Sequence, residues 1–136
     1  MYNDIYNIEQ YAYTYTTLYK WLQLTTNKKS ISSFFFKNNL KRIAIYGVSG
    51  IGELLYAELK TAGIEPVCFV DKKAADYPSG YNGIPVIGIN NIQSLKNDID
   101  AFAVSPVYYF LDILEDLHKA GIPYQKIISL NMMLQE

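Results

Sequence analysis

Arg42-Ile43-Ala44-Ile45-Tyr46-Gly47-Val48-Ser49-Gly50-Ile51-Gly52-Glu53-Leu54-Leu55 is the stretch on which the reading of the whole chain depends. An apolar, β-rich run enters a glycine-rich turn and leaves as a helical pattern, with Ile51, Leu54, Leu55, Leu59 and Ala62 on one face. The order is strand, tight turn, helix N-terminus. Three glycines around Ser49 leave the N–H groups of the turn uncovered, and the helix aims its positive dipole end into the same space. An anion fits there.

In the dinucleotide fingerprint G-x-G-x-x-G, the first glycine makes the turn, the second lets pyrophosphate approach, and the third lets helix pack on strand. Gly47 and Gly52 hold the outer positions, while Ser49 stands where the middle glycine belongs and Gly50 follows it. A serine hydroxyl can donate to a phosphate, but its Cβ narrows the approach. Two readings stay open, a working phosphate site and a purely structural turn. The helix stops at Thr61-Ala62-Gly63, and Pro66-Val67-Cys68-Phe69-Val70-Asp71 reads as a second buried strand ending on an acid. Asp71 falls where a βαβ unit keeps the carboxylate for the ribose hydroxyls. The alternative is that it caps the turn Asp71-Lys72-Lys73 without a ligand.

Composition narrows the classes. The chain has 136 residues, half of them hydrophobic, and a formal charge of −1, which fits one compact domain and gives no basic nucleic-acid footprint. No charged stretch followed by an apolar one opens the chain at Met1, and no apolar run reaches the length of a membrane span. The expected compartment is the cytoplasm, with no membrane insertion. The one cysteine, Cys68, lies in a predicted buried strand and cannot form an intrachain disulfide.

The chain divides into a helical extension over residues 1–40 and an α/β domain over 41–136. Up to Leu24, the positions Ile5, Ile8, Ala12, Tyr15, Leu18, Tyr19 and Leu22 recur at helical spacing, with Asn3 or Asp4 as cap. Tyr13 and Trp21 leave that stripe, and Tyr2, Tyr6 and Tyr11 lie nearby. Aromatics on more than one side call for more than one neighbour, which favours an oligomer or partner interface over packing within the domain alone. A short second helix holds Ile31, Phe34, Phe35 and Leu40, with Ser30 as cap, and Asn38-Asn39 ends it.

Residues 72–83 are rich in turn formers. Ile84 to Gly88 reads as an edge strand because of Pro85, a helix is expected to start near Asn90-Asn91, and Asp100 to Val104 is a buried strand stopped at Ser105-Pro106. A helix over Val107 to Ala120 ends at Gly121, Lys126 to Leu130 is the last strand, and Asn131 is placed to cap a terminal turn. Alternating strands and helices mean parallel pairing with right-handed crossovers. The expected fold is α/β, a single doubly wound parallel sheet of about five strands in the order 3-2-1-4-5, after one or two N-terminal helices. A ligand crevice then opens where the order reverses. The candidate contacts are Gly47, Val48, Ser49, Gly50, Ile51 and Gly52 of the turn, Asp71 with Lys72, and Ser105 with Pro106.

From Lys41 through Gly52, the strand ending in Asp71, the segment Asn82 to Gly88 and the strand from Asp100 to Val104, the chain resembles the Rossmann-like nucleotide-binding domain of bacterial polysaccharide-biosynthesis proteins. That group includes the N-terminal domains of CapD-like nucleotide-sugar epimerase/dehydratases and of sugar acyltransferases. The resemblance covers about residues 41 to 130 and implies NAD or a nucleotide sugar as ligand, with Gly47, Ser49, Gly50 and Gly52 at the phosphates and Asp71 at the ribose. Ser49 departs from its usual glycine, and the first two helices lie outside it.

Residues suited to catalysis are few. Tyr56 and Lys60 have the Tyr-x-x-x-Lys spacing of short-chain dehydrogenases, but on a helix expected to pack on the sheet. His118 is the only histidine, and Asp112, Glu115 and Asp116 read as a solvated face. The expectation is a domain that binds a small nucleotide ligand, NAD or a nucleotide sugar, and no nucleic acid. It carries out no chemistry alone; as an enzyme it would be an NAD-dependent sugar-nucleotide oxidoreductase or epimerase component. Surface-polysaccharide synthesis is the setting the resemblance implies. The alternative is an interaction or oligomerisation module that kept the fold and lost the ligand, its aromatic helix joining a twin or a glycan-biosynthesis enzyme.

Overall fold

A computed structural model describes residues 2–48 and 50–135, and the side chains among them from residue 7 onward. Ser49, the side chains of Tyr2, Ile5 and Tyr6, and the cap expected at Asn3 or Asp4 lie outside the described residues. The order is α1 (Tyr2–Thr26), α2 (Ser32–Lys37), β1 (Ile43–Tyr46), α3 (Ile51–Thr61), β2 (Cys68–Val70), β3 (Val86–Ile87), β4 (Ala101–Val104), α4 (Phe110–Lys119), β5 (Ile127–Ser129) and α5 (Leu130–Met133).

The sheet has five parallel strands in the order β3-β2-β1-β4-β5. β1 lies at its centre, with Tyr46 opposite Val70 on one side and Val104 on the other. All of β1, β2, β4 and β5 is buried, as expected for parallel strands covered on both faces. Alternate residues of β1 feed two cores. Ile43 and Ile45 pack with α3, α2 and the C-terminal half of α1, whereas Ala44 and Tyr46 pack with Ile113 and Leu117 of α4. β3 is an edge strand, where the missing donor of Pro85 is tolerated, and the Pro85 carbonyl accepts from Phe69.

Besides helix ends, with α2 confined to Ser32–Lys37 and capped at Ile31 and α4 starting at Phe110, three local features differ from the sequence reading. The crossover after β3 holds two short 3-10 turns, Ile89–Asn91 and Gln93–Leu95, in place of a helix. Asn90, Asn91, Ser94, Asn97 and Asp98 compete for backbone bonds that a helix would need, although Ile92 and Ile99 are buried as the pattern required. α5 is capped by Ser129, whose hydroxyl accepts from the Met132 N–H at 3.2 Å, and not by Asn131. α1 turns Thr17, Trp21 and Leu24 to the domain and leaves Ile8, Ala12, Tyr15, Leu18, Tyr19 and Leu22 exposed.

Asp100 joins the start of the sheet to the segment that precedes it. One carboxylate oxygen accepts from the N–H groups of Lys41 and Arg42 at 2.8 and 2.9 Å, and these bonds hold its pKa below the ordinary range. Cys68 is a packing residue, its thiol pushed up to about 11 by burial.

Candidate functional site

The turn between β1 and α3 is built by its glycines. Gly47 has φ +98°, and a Cβ there would sit 2.5 Å from Ser105 Oγ. Gly50 adopts φ 62°, ψ −120°, a conformation open to glycine, with clear space around it. Gly52 is the closest approach, because a Cβ there would come within 1.9 Å of the Gly47 carbonyl oxygen. This is the helix-on-strand role of the last glycine in the fingerprint. Gly50 is the N-cap of α3 and offers no side-chain acceptor to the first-turn N–H groups.

Asp71 follows β2 and reaches across to that turn. Its Oδ2 accepts from the Val48 N–H at 3.0 Å and its Oδ1 from the Lys73 N–H at 2.8 Å. Among the described residues each oxygen is engaged once, and a carboxylate has about four lone-pair sites, so these bonds leave acceptor capacity on the half-buried side chain. Ser105 is buried and donates to the Tyr46 carbonyl at 2.7 Å, closing the gap between β1 and β4 beside Gly47. Tyr46, at the end of β1, has its phenol pKa raised by burial first, then by the Asp116 and Asp71 charges.

Of these groups Gly50, Asp71 and Ser105 line one crevice of about 770 Å³ at the carboxyl ends of the strands, where the strand order reverses. Gly50 and Ile51 form its floor, Asp71, Lys73, Asp76 and Tyr77 one side, and Ser105 to Tyr109 the other. The roof comes from outside the sheet, as α1 contributes Gln10 and Thr14. That placement is fastened by Tyr108, whose hydroxyl donates to Glu9 at 3.1 Å and whose ring meets Tyr13 edge-on at 5.4 Å.

Of the sequence candidates, Gly50, Ile51, Asp71, Ser105 and Pro106 line the crevice; Gly47, Val48 and Gly52 do not, but Gly47 packs on Ser105, Gly52 on Gly47, and Val48 donates to Asp71. Lys72 is directed to Asp116 of α4, at 3.7 Å, and Lys73 is the lysine at the crevice. Ser49 lies outside the described residues. Lys73, Asp76, Tyr77 and Tyr109 were legible in principle, as residues just past strand ends. Gln10 and Thr14 carried no signal in an uncharged stretch of helix.

The remaining candidates do not join the crevice. Tyr56 is buried against Phe69, with the Lys60 ammonium 5.7 Å from its ring centroid. His118 stacks on Tyr124 at 3.7 Å, its Nδ1 3.0 Å from the Ile122 carbonyl. Among the described residues no group of three or more His, Cys, Asp or Glu could hold a metal ion, and no helix is long and apolar enough to cross a membrane.

Fold and crevice together define a doubly wound parallel α/β domain with a ligand-sized cleft at its switch point. The chain belongs to the C2185-like family, as its N-terminal domain: that family's model, described as "C2185-like, N-terminal", matches residues 39–128, from the approach to β1 into β5. No curated protein matches the chain. The family match overturns the resemblance to CapD-like and sugar-acyltransferase domains of polysaccharide biosynthesis. The features behind that resemblance, a glycine turn, an acid after the second strand and an edge strand carrying proline, are shared by doubly wound domains as a class and do not mark a lineage. The polysaccharide setting was implied by that resemblance alone.

Proposed function

We propose that this domain binds a nucleotide-class ligand, such as NAD or a nucleotide sugar, in the crevice between the glycine turn and Asp71. The observation that carries the reading is the placement of a carboxylate with spare acceptor capacity opposite an uncapped helix start, across one cleft of about 770 Å³. That volume lies within the range of small-molecule and cofactor sites. The N-terminal end of α3 supplies a favourable field for a phosphate, and Asp71 an acceptor for ribose hydroxyls. Tyr77 and Tyr109 add aromatic surface for a base. Asp71 disfavours a 2′-phosphate, because two anions would meet in one cleft.

A thermal-shift panel with NAD, NADP, UDP-sugars and coenzyme A tests the reading. A ligand at a hundred times its Kd stabilises by about 2.7 kcal/mol, which for a domain of this size is roughly 9 °C in Tm. The expected result is a shift with NAD or a UDP-sugar, a smaller one with NADP, and a shift reduced in Asp71→Asn. Stronger stabilisation by NADP than by NAD refutes the role given to Asp71.

A second reading is a module that kept the fold and lost the ligand. It is favoured by one observation: the Val48 N–H at the glycine turn is already taken by the protein's own carboxylate. No shift with any member of the panel selects it.

A further inference from the structure

The outward face of α1 carries an apolar seam that the domain does not use. Ile8, Tyr11, Tyr15, Leu18 and Leu22 follow the alternating three- and four-residue steps of a coiled-coil heptad, and Tyr19 flanks them. These six are between 38% and 71% exposed. The inner stripe, Gln10, Thr14, Thr17, Trp21 and Leu24, alternates four- and three-residue steps, each member two or three residues after its outer counterpart, which on a helix is a different face. One stripe is therefore committed to the domain and the other is left over. The leftover stripe does not end at the helix: Leu18 and Leu22, with Trp21 of the inner stripe beside them, continue into Leu54, Ala57 and Thr61 of α3 around an apolar groove of about 480 Å³.

We propose that two copies of this chain pair through this seam, α1 against α1 in antiparallel orientation. The six exposed side chains present at most roughly 800 Å² for burial, the share each partner contributes to a standard-size protein interface, and the α1–α3 groove extends that surface. Composition is permissive too, because Glu9 and Lys20 are the only charged residues between 7 and 26 and both stand off the seam.

Orientation follows from which residues would meet. In the antiparallel register Tyr11 of one copy lies against Leu22 of the other and Tyr15 against Leu18, so each ring meets an aliphatic side chain and each hydroxyl can reach the edge. A parallel pair would face Tyr11 with Tyr11 and Tyr15 with Tyr15 along the buried line, crowding phenol hydroxyls where water is excluded. The two-fold pairing also brings the partner's seam over the α1–α3 groove. The proposal does not depend on the ligand reading, because the seam and the crevice lie on different faces of α1.

Sedimentation velocity of the full chain at 10 and 100 µM, beside a Tyr15→Lys variant, tests the pairing. The expected result is a dimer for the wild type and a monomer with an unchanged far-UV circular dichroism spectrum for the variant, since Tyr15 makes no core contact. A wild type that remains monomeric at 100 µM overturns the proposal and leaves the seam to another occupant. A variant that remains dimeric overturns the placement on α1. Orientation is read by oxidative crosslinking, for which the buried Cys68 gives a quiet background. Mixed Tyr11→Cys and Leu22→Cys chains should crosslink to each other, and self-crosslinking of Leu22→Cys alone refutes the antiparallel register.

Discussion

Replacing Gly52 with alanine should be among the most damaging single-methyl additions the domain can suffer. A Cβ at this position would lie 1.9 Å from the Gly47 carbonyl oxygen and 2.9 Å from its carbon. Both are backbone atoms of the β1–α3 turn, so no side chain can rotate aside, and the start of α3 must retreat from β1 by more than ~1 Å to restore ordinary contact. Glycine to alanine within a helix usually stabilises by about 0.5–1 kcal/mol. Overpacking against an immovable neighbour costs about 3 kcal/mol at the upper end of its range, so the clash wins. The expected net loss of about 2 kcal/mol corresponds to roughly 7 °C in Tm for a chain of this length. Gly63→Ala is the control: φ there is +85° but the space is empty, which leaves about 1 kcal/mol of backbone strain and a smaller drop. Differential scanning fluorimetry of both variants reads the contrast. A Gly52→Ala protein melting within 2 °C of the wild type would refute the close-approach argument and, with it, the geometric basis of the glycine turn.

Two further predictions concern titration. Burial raises the Glu58 pKa against the lowering effects of the Trp21 side chain, the Ile31 backbone and Ser30, so the native state holds its proton more tightly than the unfolded chain. The corresponding stability is fully present below the ordinary 4.5, is lost as pH rises through the raised value, and should be missing from the pH profile of Glu58→Gln in urea titrations between pH 4 and 7; identical profiles would refute it. Asp100 has the opposite sign: its lowered pKa gives stability that is present above 3.8 and lost as pH falls through the folded value. Asp100→Asn should flatten that acid limb and lose about 1 kcal/mol at neutral pH, measured by the same titration.

The sheet was legible because the signals for it were redundant. The run Ile43 to Tyr46, the glycine turn and the acid at Asp71 each point to a strand end, and Gly63 and Gly121 stop α3 and α4 where helical periodicity ends. The crossover after β3 was misread because Ile92, Leu95 and Ile99 have helical spacing while the polar residues between them prefer local bonds, and two 3-10 turns form in place of a helix. In the crevice, chain order located the residues at the ends of β1, β2 and β4, but not which of two adjacent lysines faces the cleft. That choice depends on Asp116, a residue of α4 remote in sequence. The roof was illegible for a related reason: α1 has apolar residues on two faces, so periodicity could identify the helix without telling which stripe meets the domain.

That two-faced helix has a thermodynamic consequence. Gln10 and Thr14 roof the cavity from the same rod whose far side forms the proposed seam with a twin, so anything that repositions the rod is registered in both places. Linkage requires the effect to be mutual: if pairing tightens the hold on a guest, the guest tightens pairing by the same factor. Occupancy would then vary with the concentration of the protein itself, and dilution alone could empty the cleft.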